Sequence, residues 1–157
     1  MAVELHKARR RYSDKPFILS ILNSELPRFG IRSSQAEDVL SEICMNYGVL
    51  VKWTEETYGF SHLTLQEFLA AKWYSDERRW EFLINRDILK DSWWINTIAL
   101  CFASLSDASY AIEMVWYFDE LSEIERLRLL AHILRFDPII SADLRNKIIN
   151  RILFLFH

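Results

Sequence analysis

The sequence predicts a mainly α-helical protein in two parts, the first holding one small β-hairpin and the second helical throughout. Three observations predict it. All three glycines, Gly30, Gly48 and Gly59, fall in the first 60 residues, and Pro138 is the only proline after Pro27. Glycine marks positive-φ turns, so the part up to Gly59 must contain tight turns and the rest need not. Apolar residues recur at helical spacing along most of the chain, whereas 49–53 and 58–61 are short runs rich in β-branched and aromatic residues. About half of the 157 residues are apolar and 14% are aromatic, which is enough to bury a core instead of remaining disordered. A boundary is placed near Asp76 to Arg79, dividing the chain into 1–77 and 78–157.

In the first part, Ala2 to Tyr12 reads as a helix. Pro16 stands where a second helix begins, since a first turn tolerates the missing N–H. Phe17, Ile18, Ile21, Leu22 and Leu26 form its buried side, and Pro27 and Gly30 end it. Ser34 with Glu37 has capping-box spacing and opens a third helix. That helix carries Val39, Leu40, Ile43 and Cys44 inward, and Gly48 closes it. Val49 to Trp53 and Tyr58 to Ser61, joined by Thr54-Glu-Glu-Thr57, form the hairpin. A fourth helix opens at Thr64, again with a glutamate, Glu67, at capping-box spacing; Leu65, Phe68, Leu69 and Trp73 make its apolar face. Helix, helix, helix, hairpin is the order of a winged helix, with the hairpin as the wing.

The second part reads as helices of about 10 to 16 residues between polar joints. The joints are Asp76 to Arg79, Asn85 to Ser92, Ser106 to Ser109, Asp119 to Ser122 and Asp137 to Ser141. Asp107 and Ser141 are expected N-caps, and Ser122 with Glu125 repeats the capping box. Ile124, Leu127, Ala131 and Leu134 keep to one face, as do Leu144, Ile148, Ile152 and Leu155 in the last segment. Short joints between similar helices predict antiparallel pairs in an α-solenoid-like array. The apolar end Phe154-Leu-Phe-His157 carries no polar cap, as expected of a piece of a longer array or of an end that packs on a partner.

Several function classes are excluded or demoted. A net charge of −3 gives no reason to expect nucleic acid or an anionic membrane as partner. The longest uncharged run, Ser92 to Ser106, is 15 residues, short of a membrane span, and no apolar leader opens the chain. Cys44 and Cys101 lie in apolar helix patterns and read as reduced core thiols of a cytoplasmic protein, with a disulfide as the lesser reading. Apolar surroundings quiet a thiol, so neither is expected as a nucleophile. None of the six lysines follows a glycine or precedes Ser or Thr, so no phosphate-cradling P-loop exists in this sequence. His6, His62, His132 and His157 show no metal-ligand spacing. No catalytic residue and no metal ligand is therefore named. A winged helix invites a DNA hypothesis, but the third helix carries Glu37, Asp38 and Glu42 and no Lys or Arg. Phosphates would repel it. Lys7, Arg9, Arg10, Arg11 and Lys15 form a basic cluster best explained as a solvated helix face.

The most informative stretch is Tyr58-Gly-Phe-Ser-His-Leu-Thr-Leu-Gln-Glu-Phe-Leu-Ala-Ala-Lys-Trp73. His62 stands just ahead of a helix N-terminus, where unpaired amides and the positive dipole end favour an anion. One reading makes it a partly buried histidine that bonds a backbone carbonyl and pins the wing. The other follows from a resemblance. The stretch is similar to the FxHxTxQEFxAA signature that ends the winged-helix domain of NACHT-type signalling NTPases (the STAND class), and the preceding helices agree from about Met1 onward. The resemblance implies that His62 reaches the phosphate of ADP or ATP held in an upstream NTPase domain, and so keeps the inactive state closed. Glu67 reads as a cap, and Gln66, turned away from the apolar stripe, is open to a neighbouring domain.

The resemblance further implies a regulatory segment in signal transduction, with helical repeats that sense a ligand or a protein. The upstream NTPase domain is its partner, self-association is open, and nucleotide belongs to the parent protein only. If the source is bacterial, family analogy points to defence. The alternative is a free-standing helical adaptor. Trp80, Trp93, Trp94, Trp116, Tyr117 and Phe118 serve either reading, as core or as part of a recognition surface.

Overall fold

The computed structural model describes residues 1–156, and His157 lies outside the described residues. The chain divides into two compact units, Met1–Leu69 and the residues from Ala70 onward.

The first unit opens with α1 (Ala2–Lys7), then β1 (Tyr12–Asp14) and α2 (Lys15–Glu25). Helix α1 stops at Lys7 and does not continue to Tyr12. Arg9 adopts φ 55, the Arg9 N–H donates to the His6 carbonyl (3.0 Å) and the Arg10 N–H to that of Leu5 (2.9 Å). This is a Schellman stop with arginine in glycine's place. The backbone freed there forms β1, a strand not foreseen from the sequence. Asp14 caps α2 by accepting from the Phe17 amide (2.9 Å). Ile18, Leu22 and Leu26 are buried, while Phe17 and Ile21 are half-buried.

Helix α3 covers only Ala36–Glu42. A 3₁₀ turn, Ser33–Gln35, precedes it, and a π turn, Ile43–Tyr47, follows it and ends on Gly48 at φ 60. The reciprocal bond falls on Arg32 N–H to Gln35 Oε1 (3.2 Å) and not on Ser34 and Glu37. Leu40 is buried as expected, but Val39, Ile43 and Cys44 are only half-buried. The hairpin is present as β2 (Leu50–Lys52) and β3 (Thr57–Phe60). It belongs to a three-stranded antiparallel sheet of order β1-β3-β2 with Gly59 at its centre, paired with Tyr12 on one side and Val51 on the other. Three helices, a short first strand and a two-stranded wing make a winged helix.

Helix α4 (Leu63–Asp76) follows β3 and runs past residue 69 into the second unit. It too ends without glycine: Arg78 has φ 54, with Arg79 N–H to Tyr74 O (2.8 Å) and Arg78 N–H to Ser75 O (3.1 Å). The Arg79 guanidinium lies over the Trp73 ring (5.1 Å) in place of the usual apolar contact across such a stop. Positive-φ turns thus occur beyond the glycine-bearing part, since Asp137 (φ 50) makes one as well.

The rest is helical: a 3₁₀ turn at Trp80–Leu83, then α5 (Arg86–Leu89), α6 (Ile95–Ala103), α7 (Ser109–Trp116), α8 (Glu123–Leu134) and α9 (Ala142–Phe156). The stretch 85–92, expected as a joint, holds the one-turn α5, capped by Asn85 (Ile88 N–H to Oδ1, 3.1 Å). Helices α6 and α7 are shorter than expected, at 9 and 8 residues. Helix α8 is central, with α6, α7 and α9 packing on it. Its buried face is Leu127, Leu129, Leu130 and Ile133, so Ile124 stands 51% exposed and not in the stripe assigned to it. Asp107 makes an Asx turn to the Ser109 amide (2.8 Å), one residue ahead of the cap, whereas Ser141 does cap α9.

The capping box at α8 is formed as expected. The Ser122 N–H and hydroxyl both donate to Glu125 Oε2 (2.8 and 2.7 Å), and Lys90 reaches Oε1 (3.2 Å). These bonds hold the Glu125 carboxyl down to about 2, the Ser122 hydroxyl contributing most. Because the folded value lies below the unfolded one, the contribution is complete above the ordinary glutamate range and fades as pH falls toward about 2. Ser122→Ala is expected to cost about 1 kcal/mol in a urea melt and to move the Glu125 carbon titration back toward its ordinary range. An unmoved titration would mean that Lys90 and the Ser122 amide, which the substitution keeps, set it.

Candidate functional site

Strand β3 leads into α4 with almost no loop. The Ser61 N–H still donates to the Val49 carbonyl (3.1 Å), extending the ladder. One residue later the His62 carbonyl accepts from the amides of Leu65 (3.1 Å) and Gln66 (3.4 Å), the first bonds of the helix. His62 therefore holds the N-cap position. Thr64, expected there, is already inside the helix.

The imidazole of His62 is exposed and has no hydrogen-bond or ion-pair partner among the described residues. The reading that made it a buried pin of the wing is set aside by that exposure. An exposed ring N–H donor beside the positive end of a 14-residue helix is chemically suited to an oxyanion. The other histidines among the described residues differ. His6 is fully buried, and His132 is half-buried with Nε2 bonded to Asn96 Oδ1 (3.0 Å), burial lowering its pKa.

The polar pair in the motif turns inward. Gln66 and Glu67 are 0% and 5% exposed. Gln66 Nε2 donates to the Arg10 carbonyl (3.0 Å), tying the α1–β1 turn to α4, so its side chain is not presented to a neighbouring domain. Phe68, assigned to the apolar face, is 44% exposed.

The basic cluster occupies that same turn and the start of α2, not one helix face. Lys7 pairs with Glu4 (3.5 Å) and Lys15 with Glu37 (3.2 Å). Arg10 bonds Ser13 (3.1 Å) and covers the Phe17 ring (5.5 Å). Arg11 is exposed and has no such partner among the described residues. Its position beside α4 was not foreseen, because the turn that places it carries no glycine. Helix α3 shows Glu37 and Asp38 at its start, both exposed.

The thiols are poor nucleophiles by environment. Burial pushes Cys101 up to about 12 and raises Cys44. No three His, Cys, Asp or Glu side chains converge as metal ligands among the described residues. No helix there is long and apolar enough to cross a membrane. Of the second unit's aromatics, Trp94 is buried, Trp80, Trp93, Trp116 and Phe118 are half-buried, and Tyr117 is 67% exposed.

Comparison with known proteins agrees with this architecture. The profile of a family described as a winged helix-turn-helix domain C-terminal to NACHT matches residues 3–74, from α1 to the last turn of α4. No match was found among curated proteins or solved structures. Residues 3–74 thus form a winged helix whose sequence matches the domain described as lying C-terminal to NACHT.

Proposed function

We propose that this region regulates a NACHT NTPase, and that His62 meets the phosphate of ADP or ATP bound in the upstream NTPase domain. The supporting observation is the contrast within the motif: Gln66 and Glu67 are buried, while His62 is exposed and unpartnered at the start of α4. A ring N–H there completes the helix terminus as a phosphate-facing donor. The acidic start of α3 argues against DNA as the partner.

Mechanistically this is a shift between closed and open states. Inverting a 1:99 population takes about 5.5 kcal/mol, whereas one hydrogen bond to a charged group supplies about 1.5–3. His62 is thus one contact of several holding the closed state. The helices after α4 serve ligand or protein sensing in cytoplasmic signalling, and defence is the process the family analogy favours.

In a polypeptide carrying the NACHT domain, His62→Ala is expected to speed ADP release about ten- to a hundredfold, with His62→Gln, which keeps a donor, recovering much of the loss. The 157-residue chain alone should show no sub-micromolar nucleotide binding by calorimetry. Tight binding, or unchanged release in His62→Ala, contradicts the proposal.

A second reading has its own support. Phe82, Tyr110 and Tyr117 are 69%, 63% and 67% exposed, as a protein-binding adaptor surface would be. A P-loop encoded in the same polypeptide decides for the first reading.

A further inference from the structure

Beside the start of α4 a pocket of about 90 Å³ is lined by Arg11, Tyr12, Trp53, Phe60, Leu63 and Gln66. Of these, Phe60 is buried, while Tyr12 and Trp53 are 56% and 51% exposed. Gln66 is fully buried, and its two amide atoms fare differently. Nε2 donates to the Arg10 carbonyl (3.0 Å), but Oε1 has no hydrogen-bond partner. Turning the amide over offers no remedy, because Oε1 would then face the Arg10 carbonyl, acceptor against acceptor. Buried acceptors are rarely left unpaired, and such an orphan calls for an explanation. An unpaired acceptor thus belongs to a residue that lines a largely apolar pocket.

We propose that this pocket is a socket for a tyrosine side chain, flanked by acidic residues, on a partner polypeptide. Size, walls, base and rim each narrow the occupant. A cavity of about 150 Å³ takes a benzene ring, so this smaller pocket admits at most one six-membered ring and no bicycle. Its aromatic and aliphatic walls suit a ring body over an amide. The Gln66 Oε1 requires a donor at the inner end, which a phenol supplies and a phenyl does not. The unpartnered Arg11 at the rim repels Lys and Arg and favours carboxylates beside the entering residue. Gln66 is screened from solvent in the empty pocket, so seating the phenol against it requires the half-exposed side chains of Tyr12 and Trp53 to move apart. The socket stands independently of the nucleotide reading of His62.

The test uses the 157-residue chain and three capped tripeptides: Glu-Tyr-Glu, Glu-Phe-Glu and Lys-Tyr-Lys. Nitrogen-resolved NMR follows the Trp53 indole and the Gln66 side-chain amide. Glu-Tyr-Glu is expected to shift both signals with Kd of about 1–10 mM, and Glu-Phe-Glu to bind about fivefold more weakly for want of the hydroxyl. Arg11→Gln should remove the preference for the glutamate flanks over the lysine flanks. Equal affinity for the tyrosine and phenylalanine peptides, equal affinity for both flanks, or no shift of either signal overturns the proposal. All three outcomes are readable on the unmodified protein.

Discussion

Phe102→Ala will destabilise the second unit by about 3–5 kcal/mol. Phe102 is among the largest fully buried side chains and sits on α6, the helix that packs on central α8. The Trp80 ring meets it edge-on, 6.3 Å away at 88°, and meets Tyr110 in turn at 6.0 Å. Truncation removes the transfer energy of the ring and the edge-to-face contact, about 0.5–1.5 kcal/mol for such pairs, and leaves a cavity behind. Trp80 is half-buried and can close part of that space, which favours the lower end of the range. Against a total of about 5–15 kcal/mol for a typical domain, the loss leaves this unit marginal. Urea unfolding, with hydrogen exchange read over 95–134, measures it. A loss below about 1.5 kcal/mol would mean that the core around α6 reorganises freely.

Gly59→Ala will cost about 2–3 kcal/mol in the first unit. A methyl group built on Gly59 collides with the Arg11 carbonyl oxygen and sits 3.0 Å from Cα and Cβ of Tyr12. The obstacle is backbone, in a strand paired residue by residue with β3, so no side chain can rotate away. The smaller unfolded-state entropy of alanine returns at most about 1 kcal/mol. Because β1 and not the wing strand is displaced, exchange protection should fall at 11–14 and persist across the β2–β3 pairs. A neutral result would show β1 to be weakly held.

Legibility of the fold followed where the information resides. The body of α2, the hairpin and the caps of α8 and α9 are written in neighbouring side chains, so spacing reveals them. Strand β1 is not: Tyr12-Ser13-Asp14 has no apolar alternation and exists through its pairing with β3. The ends of α1 and α4 were missed or left unexplained because their left-handed residues are arginines. Thr64 and Glu67 had capping spacing, yet the chain enters the helix two residues earlier, with the His62 carbonyl as first acceptor. The candidate site divides in the same way. A histidine ahead of a helix was readable from the motif. The burial of Gln66 was not, since its partner is a backbone carbonyl 56 residues away.

The two arginine stops have a consequence for how these helices are bounded. A left-handed non-glycine residue costs about 1–2 kcal/mol, and a cation near a helix C-terminus recovers about 0.3–1 of it. Termination at Arg9 and Arg78 is therefore partly a Coulombic matter, and added electrolyte screens it. Ions in the surrounding medium thus tune, by no more than about 1 kcal/mol, how firmly these two boundaries hold.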